Sequence, residues 1–341
     1  RFSAAFLFRM NKFTFPALII CLAIGKIAFG QQDPMFTNYF FNGLIYNPAV
    51  AGSAEHLALN LIHRQQWIGL EGAPTTQSLS AHTPLSSDKI GLGFSMVNDN
   101  AGASGTLDIN AAYAYRIKMG EKFKLSIGLQ TSVTNWRGDW SELRIEDNDD
   151  VAFSENINRW LPNFGGGVLF YSENFFVGAG CPRILEYDLR KADQDDTPLY
   201  ARTYRHYYTT IGGAIPLGGS DQLIFRPVAL LKSTGAFSSW RDDSAFRNTG
   251  SPTELDLGAS FFISQALWLG LSYRTALELR QSSNDSADLW AAMYFRNGLR
   301  VGASYDLTLS KLKQSNNGSF EIMVGYEFDI KVKRVASPRY F

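Results

Sequence analysis

The stretch TLDINAAYAYRI, residues 106–117, decides the fold. Apolar or aromatic side chains occupy its odd positions from 107 to 117, and polar or small side chains occupy the even positions. A period of two residues places successive side chains on opposite faces of a β-strand. Because Asp108, Asn110 and Arg116 share one face, the sequence predicts a strand that separates two environments of opposite polarity.

The same alternation recurs along the chain, and no stretch shows a helical period over two turns. The clear segments are 107–117, 123–133, 255–263, 267–273, 289–295, 299–309 and 320–332, and the weaker ones are 56–64, 76–84, 89–97, 163–171, 174–181, 204–215 and 221–232. We therefore expect an all-β chain of about 14 strands, most of them long enough for the roughly 9–11 residues that a membrane-crossing strand needs.

The connections between these segments alternate in length. The short ones are 84–88, 119–122, 172–174, 217–221, 264–265 and 296–298, and the long ones are 65–75, 98–104, 134–162, 182–203, 233–252, 277–286 and 310–318. This sorting is typical of a transmembrane antiparallel β-barrel of the outer membrane, with tight turns in the periplasm and longer loops outside. An even strand number then places both termini in the periplasm.

The chain also carries an export signal. Residues 10–30 contain a basic start, an apolar run at 13–25 and small residues before Gly30, which is typical of a cleavable signal peptide. We expect cleavage near Gly30 and interpret residues 1–9 as upstream read-through. A membrane anchor is disfavoured because the apolar run is too short to span a bilayer. Acylation of Cys21 is disfavoured because Ile20, rather than a small residue, precedes it.

The composition excludes several functions. Lys plus Arg and Asp plus Glu both number 32, so the chain lacks the basic excess that tracks nucleic acid, and we expect no nucleic-acid partner. After signal cleavage only Cys181 remains, which excludes an intramolecular disulfide and a cysteine-based zinc site. The mean hydropathy of −0.12 fits strands whose two faces cancel in the average.

We find no motif for catalysis and expect no enzyme activity, cofactor or metal. The four histidines lack a recognisable nucleophile motif beside them; they are His56, His63, His82 and His206. The acidic runs that begin at Glu146 and Asp193 could supply oxygen ligands to calcium, but their spacing matches no EF-hand. We interpret both as solvated loops.

The segment before the first strand, residues 31–55, is too aromatic to be left exposed in the periplasm. We expect it to pack in or against the barrel as a plug-like segment, with Asn47, Pro48 and Ala49 as candidate plug residues. The remaining predicted divisions are the barrel at 56–332 and a periplasmic tail at 333–341. From the polar face of the strands we expect these residues to point inward: Arg64, Asp108, Asn110, Arg116, Lys124, Arg274, Arg300, Asp306, Glu327 and Asp329.

The stretch QWIGLEGAPTTQ, residues 66–77, follows the first strand and breaks its alternation. Proline fixes one backbone angle and glycines permit turns that other residues resist, so this loop should be stiff. We expect it to fold over the barrel mouth and form a partner-docking surface. Its candidate residues are Trp67, Ile68, Gly69, Glu71, Pro74, Thr75 and Thr76. The alternative is that Trp67 belongs to an interfacial aromatic girdle and the rest is a turn.

Five stretches give the chain a family resemblance: QQDPMFTNYFFNGLIYNPAVAGS (31–53), RQQWIGLEGAPTTQSLSAHTPL (64–85), KIGLGFSMVNDNAG (89–102), AAYAYRI (111–117) and SPRYF (337–341). They resemble the PorP/SprF membrane proteins of the type IX secretion system over nearly the whole mature chain. The resemblance implies an outer-membrane barrel of the type IX machinery of gliding and related bacteria, which supports export or surface attachment of particular adhesin-like cargo. The implied partners are secreted cargo proteins with a C-terminal sorting domain, other type IX secretion subunits and outer-membrane lipid.

Two stretches depart from the family pattern. Gly43-Leu44-Ile45 replaces a more usual proline-containing stretch, and GAGCPRIL at 178–185 differs from the usual G-x-S-x-P-H. An alternative function comes from the same architecture, because Asn47-Pro48-Ala49 resembles the N-terminal hatch of FadL-like channels for hydrophobic small molecules. An outer-membrane enzyme is a third class, which lacks a supporting motif.

Overall fold

The structure is a computed structural model that describes residues 33–54, 56–85, 89–140, 156–187, 189, 203–218, 222–235, 253–277 and 284–328. The predicted signal peptide at 10–30, the acidic runs that begin at Glu146 and Asp193, and the predicted tail at 333–341 lie outside these residues.

The described chain consists mainly of β-strands, preceded by helical turns at Tyr39–Phe41, Gly43–Tyr46 and Pro48–Val50. The strands are β1 (Ala58–Gln65), β2 (Thr75–Pro84), β3 (Ile90–Ala101), β4 (Ser104–Met119), β5 (Phe123–Gly138), β6 (Ile157–Tyr171), β7 (Phe175–Cys181), β8 (His206–Gly213), β9 (Ile215–Pro216), β10 (Leu223–Thr234), β11 (Glu254–Ile263), β12 (Leu267–Ala276), β13 (Asn284–Tyr294), β14 (Leu299–Thr308) and β15 (Ser319–Glu327). A 3₁₀ turn, Lys311–Gln314, lies between β14 and β15. Within the described ranges, no helix has the length and apolar character to cross a membrane.

The strands form one closed antiparallel ring. The first strand pairs with the last, from Ala58 opposite Glu327 to Gln65 opposite Phe320. β8 and β9 both pair with β10 and are interrupted only at Ala214, so together they form one strand of the wall. The segments therefore make a closed 14-stranded antiparallel barrel, which confirms the predicted fold class.

The two faces of the wall differ as the alternation predicts. In β4 the odd positions from 107 to 117 lie on the outer face, and Asp108, Asn110 and Arg116 are buried on the inner face. Large apolar side chains cover the outside; Leu129 and Leu271, for example, are 65% and 62% exposed. Of the polar residues predicted to point inward, most are buried, and Asp329 lies outside the described residues.

The connections define two ends of the barrel. At the short-turn end lie the strand ends that flank the connections 85–89, 120–122, 172–174, 217–222, 264–266 and 295–298. At the long-loop end lie the strand ends that flank the connections 66–74, 102–103, 139–156, 182–205, 235–253, 277–283 and 309–318. The expectation of a long loop at 98–104 is wrong, because β3 and β4 continue to a two-residue turn at 102–103. The polar residues at 98–100 pair with β4 and extend the hairpin. The alternation of side chains alone does not distinguish such an extension from a polar loop.

Residues 33–54, which we call the lumen segment, run through the interior from one end to the other. Asp33 lies beside Arg183 and His206 at the long-loop end. Gly52 lies beside His82 near the short-turn end, where its amide nitrogen donates to His82 Nδ1 at 3.2 Å. β1 begins and β15 ends at the short-turn end, as the even strand number predicts, and the lumen segment places the first described residue, Asp33, at the long-loop end.

We expect the long-loop end to face the outside of the cell. In a Cys181→Ser background, Glu71→Cys should react with a membrane-impermeant maleimide on intact cells, and Asn297→Cys in a short turn should react only after lysis. Both side chains are exposed, so accessibility of the membrane face decides the outcome. The reverse labelling pattern would contradict this orientation.

Candidate functional site: the lumen segment and the rim loop

The lumen segment begins in an ion-pair cluster. The Asp33 carboxylate pairs with the Arg183 guanidinium, and Tyr208 donates its hydroxyl proton to Asp33 Oδ2 at 3.0 Å. Lys232 Nζ donates to the Asp33 carbonyl oxygen at 3.2 Å. Arg183 Nη1 also lies 2.7 Å from Asp108 Oδ2 on β4. Arg183, from the connection after β7, therefore links the lumen segment to the wall.

Electrostatics keep this pair ionised. Burial acts to raise the pKa of the Asp33 carboxyl, but the nearby positive charges, Arg183 foremost, hold it below its usual value. Burial acts to lower the pKa of Arg183, and the carboxylates of Asp108 and Asp33 raise it above its usual value. Both groups therefore carry their charges at neutral pH.

A second cluster ties the segment to the seam between the first and last strands. Arg64 on β1 lies 2.6 Å from Asp306 on β14 and 3.4 Å from Glu321 on β15. The Thr37 hydroxyl donates to Asp306 Oδ1 at 2.7 Å, and its amide nitrogen donates to Glu321 Oε2 at 3.0 Å. Asn38 Nδ2 donates to Glu321 Oε1 at 2.8 Å. All five residues are buried, so the two carboxylates depend on one guanidinium and on the neutral donors of Thr37 and Asn38 for their partners inside the lumen.

Aromatic packing holds the next turn of the segment. The Phe40 ring centroid lies 4.7 Å from that of Trp290, and the Phe41 centroid lies 5.1 Å from that of Trp268. The Arg226 guanidinium sits 4.2 Å from the Trp268 ring centroid, and Arg300 sits 4.7 Å from the Phe41 centroid. Such cation–π contacts place charged groups on apolar surface without leaving them unpaired.

The candidate plug residues meet a row of glycines in the wall. Asn47 Nδ2 donates to the Val168 carbonyl oxygen at 2.9 Å, and Ala49 is fully buried. A Cβ at Gly128 would overlap the Pro48–Ala49 backbone, and a Cβ at Gly167 would overlap the Asn47 side chain. Glycines at 91 and 180 stand in the same relation to Ala51 and Tyr46. The inner surface of the wall is therefore complementary in shape to this segment.

The loop predicted as a docking surface, residues 66–74, is called the rim loop. Backbone hydrogen bonds of 2.8 Å join Ile68 to Gly318 and Asn317, which belong to the connection between β14 and β15. Another of 2.8 Å runs from the Gly102 amide nitrogen to the Gly72 carbonyl oxygen. The rim loop is thereby tied to the connections on both of its sides.

The rim loop adopts the positive φ angles that its glycines predict. Gly69 and Gly72 have φ of 93° and 71°, in the left-handed region that favours glycine. Trp67 also has a positive φ, 44°, which an L-residue with a large side chain adopts only when its surroundings hold it there. The amide nitrogen of Trp67 donates to Ser319 Oγ at 3.1 Å, which is one such restraint.

The candidate docking residues fall into three groups. Gly69 and Glu71 are exposed; Trp67, Ile68 and Pro74 are half-buried in the rim. Thr75 and Thr76 were expected in the loop, but both belong to β2. Thr76 is fully buried and donates to Asp99, so it faces the lumen and is unavailable to an outside partner. The alternation of β2 begins at these two threonines. Polar residues that follow Pro74 are equally compatible with a loop, so the sequence alone does not fix the start of the strand.

Several lumen residues escaped the sequence interpretation, among them Thr37, Asn38 and Arg183. The polar side chains within the aromatic stretch 35–46 indicate Thr37 and Asn38 as candidates for contacts with the wall, because buried polar side chains need hydrogen-bond partners. Arg183 had no comparable signal, since its role depends on a loop bending inward. Among the described residues, no group of three or more His, Cys, Asp or Glu side chains is arranged to hold a metal ion.

Comparisons with known proteins agree with the geometry. A family model described as "Type IX secretion system membrane protein PorP/SprF" matches residues 28–326. No curated protein sequence matches the chain.

Solved structures resemble the chain in fold alone. The CymD monoaromatic hydrocarbon channel aligns with a TM-score of 0.51 at 13% identity, covering 84% of this chain and 93% of that one. A Pseudomonas aeruginosa FadL homologue aligns with a TM-score of 0.45 at 13% identity, covering 89% and 96%. Omp33 of Acinetobacter baumannii aligns with a TM-score of 0.45 at 8% identity, covering 81% and 100%.

Gly128→Ala should destabilise the barrel by about 1–3 kcal/mol, because the new methyl group meets backbone rather than a movable side chain. Gly166→Ala is the matched control, since a Cβ there has its nearest atom at 3.5 Å, an ordinary contact. The temperature at which the folded band disappears on unboiled gels measures the difference. Equal stability of the two variants would contradict a tight fit between wall and lumen segment.

Proposed function

Because the chain belongs to the PorP/SprF family of type IX secretion system membrane proteins, we propose that it supports the export or surface attachment of specific secreted cargo, such as an adhesin. The family and the fold make it an outer-membrane β-barrel of that system. They are those of secretion and channel barrels rather than enzymes. Our proposal adds that cargo docks at the long-loop end, on the rim loop.

The observation that carries the docking proposal is the cross-tied rim loop. Backbone hydrogen bonds tie this loop to the connections on both of its sides. These bonds reduce the conformational freedom that a partner must otherwise remove on binding. At the same time Leu70, 38% exposed, and Glu71 stay on the surface. An ordered surface with an apolar and an acidic side chain is suited to holding a protein partner.

In this proposal the lumen segment acts as a plug, with Asn47, Pro48 and Ala49 at its tightest point. The segment has hydrogen-bond partners on β1, β2, β6, β14 and β15, so it contacts the wall on several sides. A lumen filled in this way favours a docking protein over a passage for solutes. The FadL-like alternative is less well supported, since the family match covers most of the chain and the likeness to a FadL homologue concerns fold alone.

We assign one class of partner to each end of the barrel and one to its outer face. We assign the secreted cargo, through its C-terminal sorting domain, to the long-loop end. Other type IX secretion subunits would bind the short-turn end in the periplasm, and lipid covers the apolar outer face. The two ends would communicate through the lumen segment, which touches both.

The test replaces Leu70 by Ser and Glu71 by Ala in one variant and measures cargo display on the cell surface. We expect display to fall several-fold while the barrel still assembles and migrates as a folded band. Surface loop changes of this kind contribute little to stability, so the loss would report binding. Glu173→Ala is the matched control, because Glu173 is an exposed glutamate in the short turn between β6 and β7.

Wild-type display by the Leu70→Ser, Glu71→Ala variant in a correctly assembled barrel would refute docking at the rim loop. Loss of display by Glu173→Ala to the same degree would instead indicate a general assembly defect and would equally count against the proposal.

A further inference from the structure

The lumen near the short-turn end contains a cavity that the lumen segment does not fill. Its volume is about 100 Å³, several times the roughly 10–15 Å³ that one water molecule requires. Apolar side chains from the segment and the wall form most of its surface, including Leu44, Val50, Leu169, Phe176 and Val228. The cavity lies at the opposite end of the barrel from the rim loop.

One polar side chain on the cavity lacks a partner. Asn60 of β1 points into the lumen, is 4% exposed, and has neither its Nδ2 nor its Oδ1 hydrogen-bonded within the described part of the chain. The hydroxyl of Ser80, the residue opposite Asn60 on β2, donates to Asn42 Oδ1 at 2.7 Å, so its proton is not available to Asn60 Oδ1. A buried amide with both functions unpaired is unfavourable unless something in the cavity satisfies it.

A second residue that lines the cavity, Tyr39, also carries an unpaired group. The Tyr39 hydroxyl is buried and has no hydrogen-bond partner among the described residues. A buried, unpaired amide such as that of Asn60 in a mainly apolar cavity matches the composition of small-molecule sites, in which a few polar groups orient an apolar ligand.

The charges at the cavity are already compensated. Arg300 Nη1 lies 3.5 Å from Glu327 Oε1, and His56 Nε2 lies 3.2 Å from Glu327 Oε2. Arg300 Nη1 also donates to the Tyr294 hydroxyl at 2.9 Å. Arg300 and Glu327 therefore already face each other, and a neutral ligand would leave this pair intact; Arg300 Nε and His56 Nε2 have no hydrogen-bond partner among the described residues.

From this geometry we infer that the cavity binds one small neutral amphipathic molecule, with an apolar body about the size of an aromatic ring and a single hydroxyl or amide group. The apolar body packs against Leu169, Phe176 and Val228. The polar group donates to Asn60 Oδ1 and accepts from Asn60 Nδ2, which a hydroxyl can do with both functions at once. This binding is independent of cargo docking, because it uses none of the rim loop.

The test measures binding of benzyl alcohol and of toluene to the purified full-length barrel by ligand-observed NMR. The two probes share a body and differ in the hydroxyl group. We expect saturable binding of both, with benzyl alcohol bound about two- to tenfold more tightly, the ordinary contribution of one hydrogen bond. Val228→Phe, which fills the apolar wall, should weaken both probes.

Asn60→Ala should remove the preference for benzyl alcohol and keep the binding of toluene. Asn98→Ala is the matched control, because Asn98 lies on the outer face of β3 and its amide already donates to Gln77 Oε1 at 2.8 Å. Non-saturable binding would show that water alone occupies the cavity, and an unchanged preference in Asn60→Ala would remove Asn60 from the site. Either result overturns the inference without affecting the docking proposal.

Discussion

A barrel in lipid must close, because no water is present to satisfy the backbone groups of an open edge. In this chain one buried cluster of charges marks the place of closure. Arg64 on the first strand lies directly opposite Glu321 on the last, and Asp306 joins them from β14. Such a cluster is costly to bury unless each charge is paired and hydrogen-bonded. The missing donors come from Thr37 and Asn38, so closure of the wall and filling of the lumen depend on the same contacts.

The rest of the inner wall is likewise adapted to the lumen segment. The wall provides glycines where the segment passes closely, at Gly128 and Gly167 for example, and aromatic rings where it bends, at Trp268 and Trp290. The chain is thus adapted to carry its own N-terminal segment inside. At the long-loop end the rim loop is held by hydrogen bonds to its neighbours, and this is the surface on which we propose that a secreted protein docks.

The wall could be predicted from the sequence because a strand's face is a local property with a period of two. TLDINAAYAYRI predicts both the strand and its polar side, and the predicted start of the final segment, at residue 320, lies one residue from the start of β15. The bounds of the connections are harder to predict, because the hairpin around 102–103 and the start of β2 at Thr75 contain polar residues of the kind that also form loops. The path of the lumen segment could not be predicted, because it has no period, and its position depends on contacts with residues hundreds of positions away, such as Asp306.

Planar-bilayer conductance of the purified full-length barrel tests the central claim most directly, that the chain's own N-terminal segment closes the lumen. The account predicts no steady open level under moderate voltage, since residues 33–54 lie in the interior along its length. A long-lived conductance comparable to that of an unplugged barrel with a similar number of strands would contradict it.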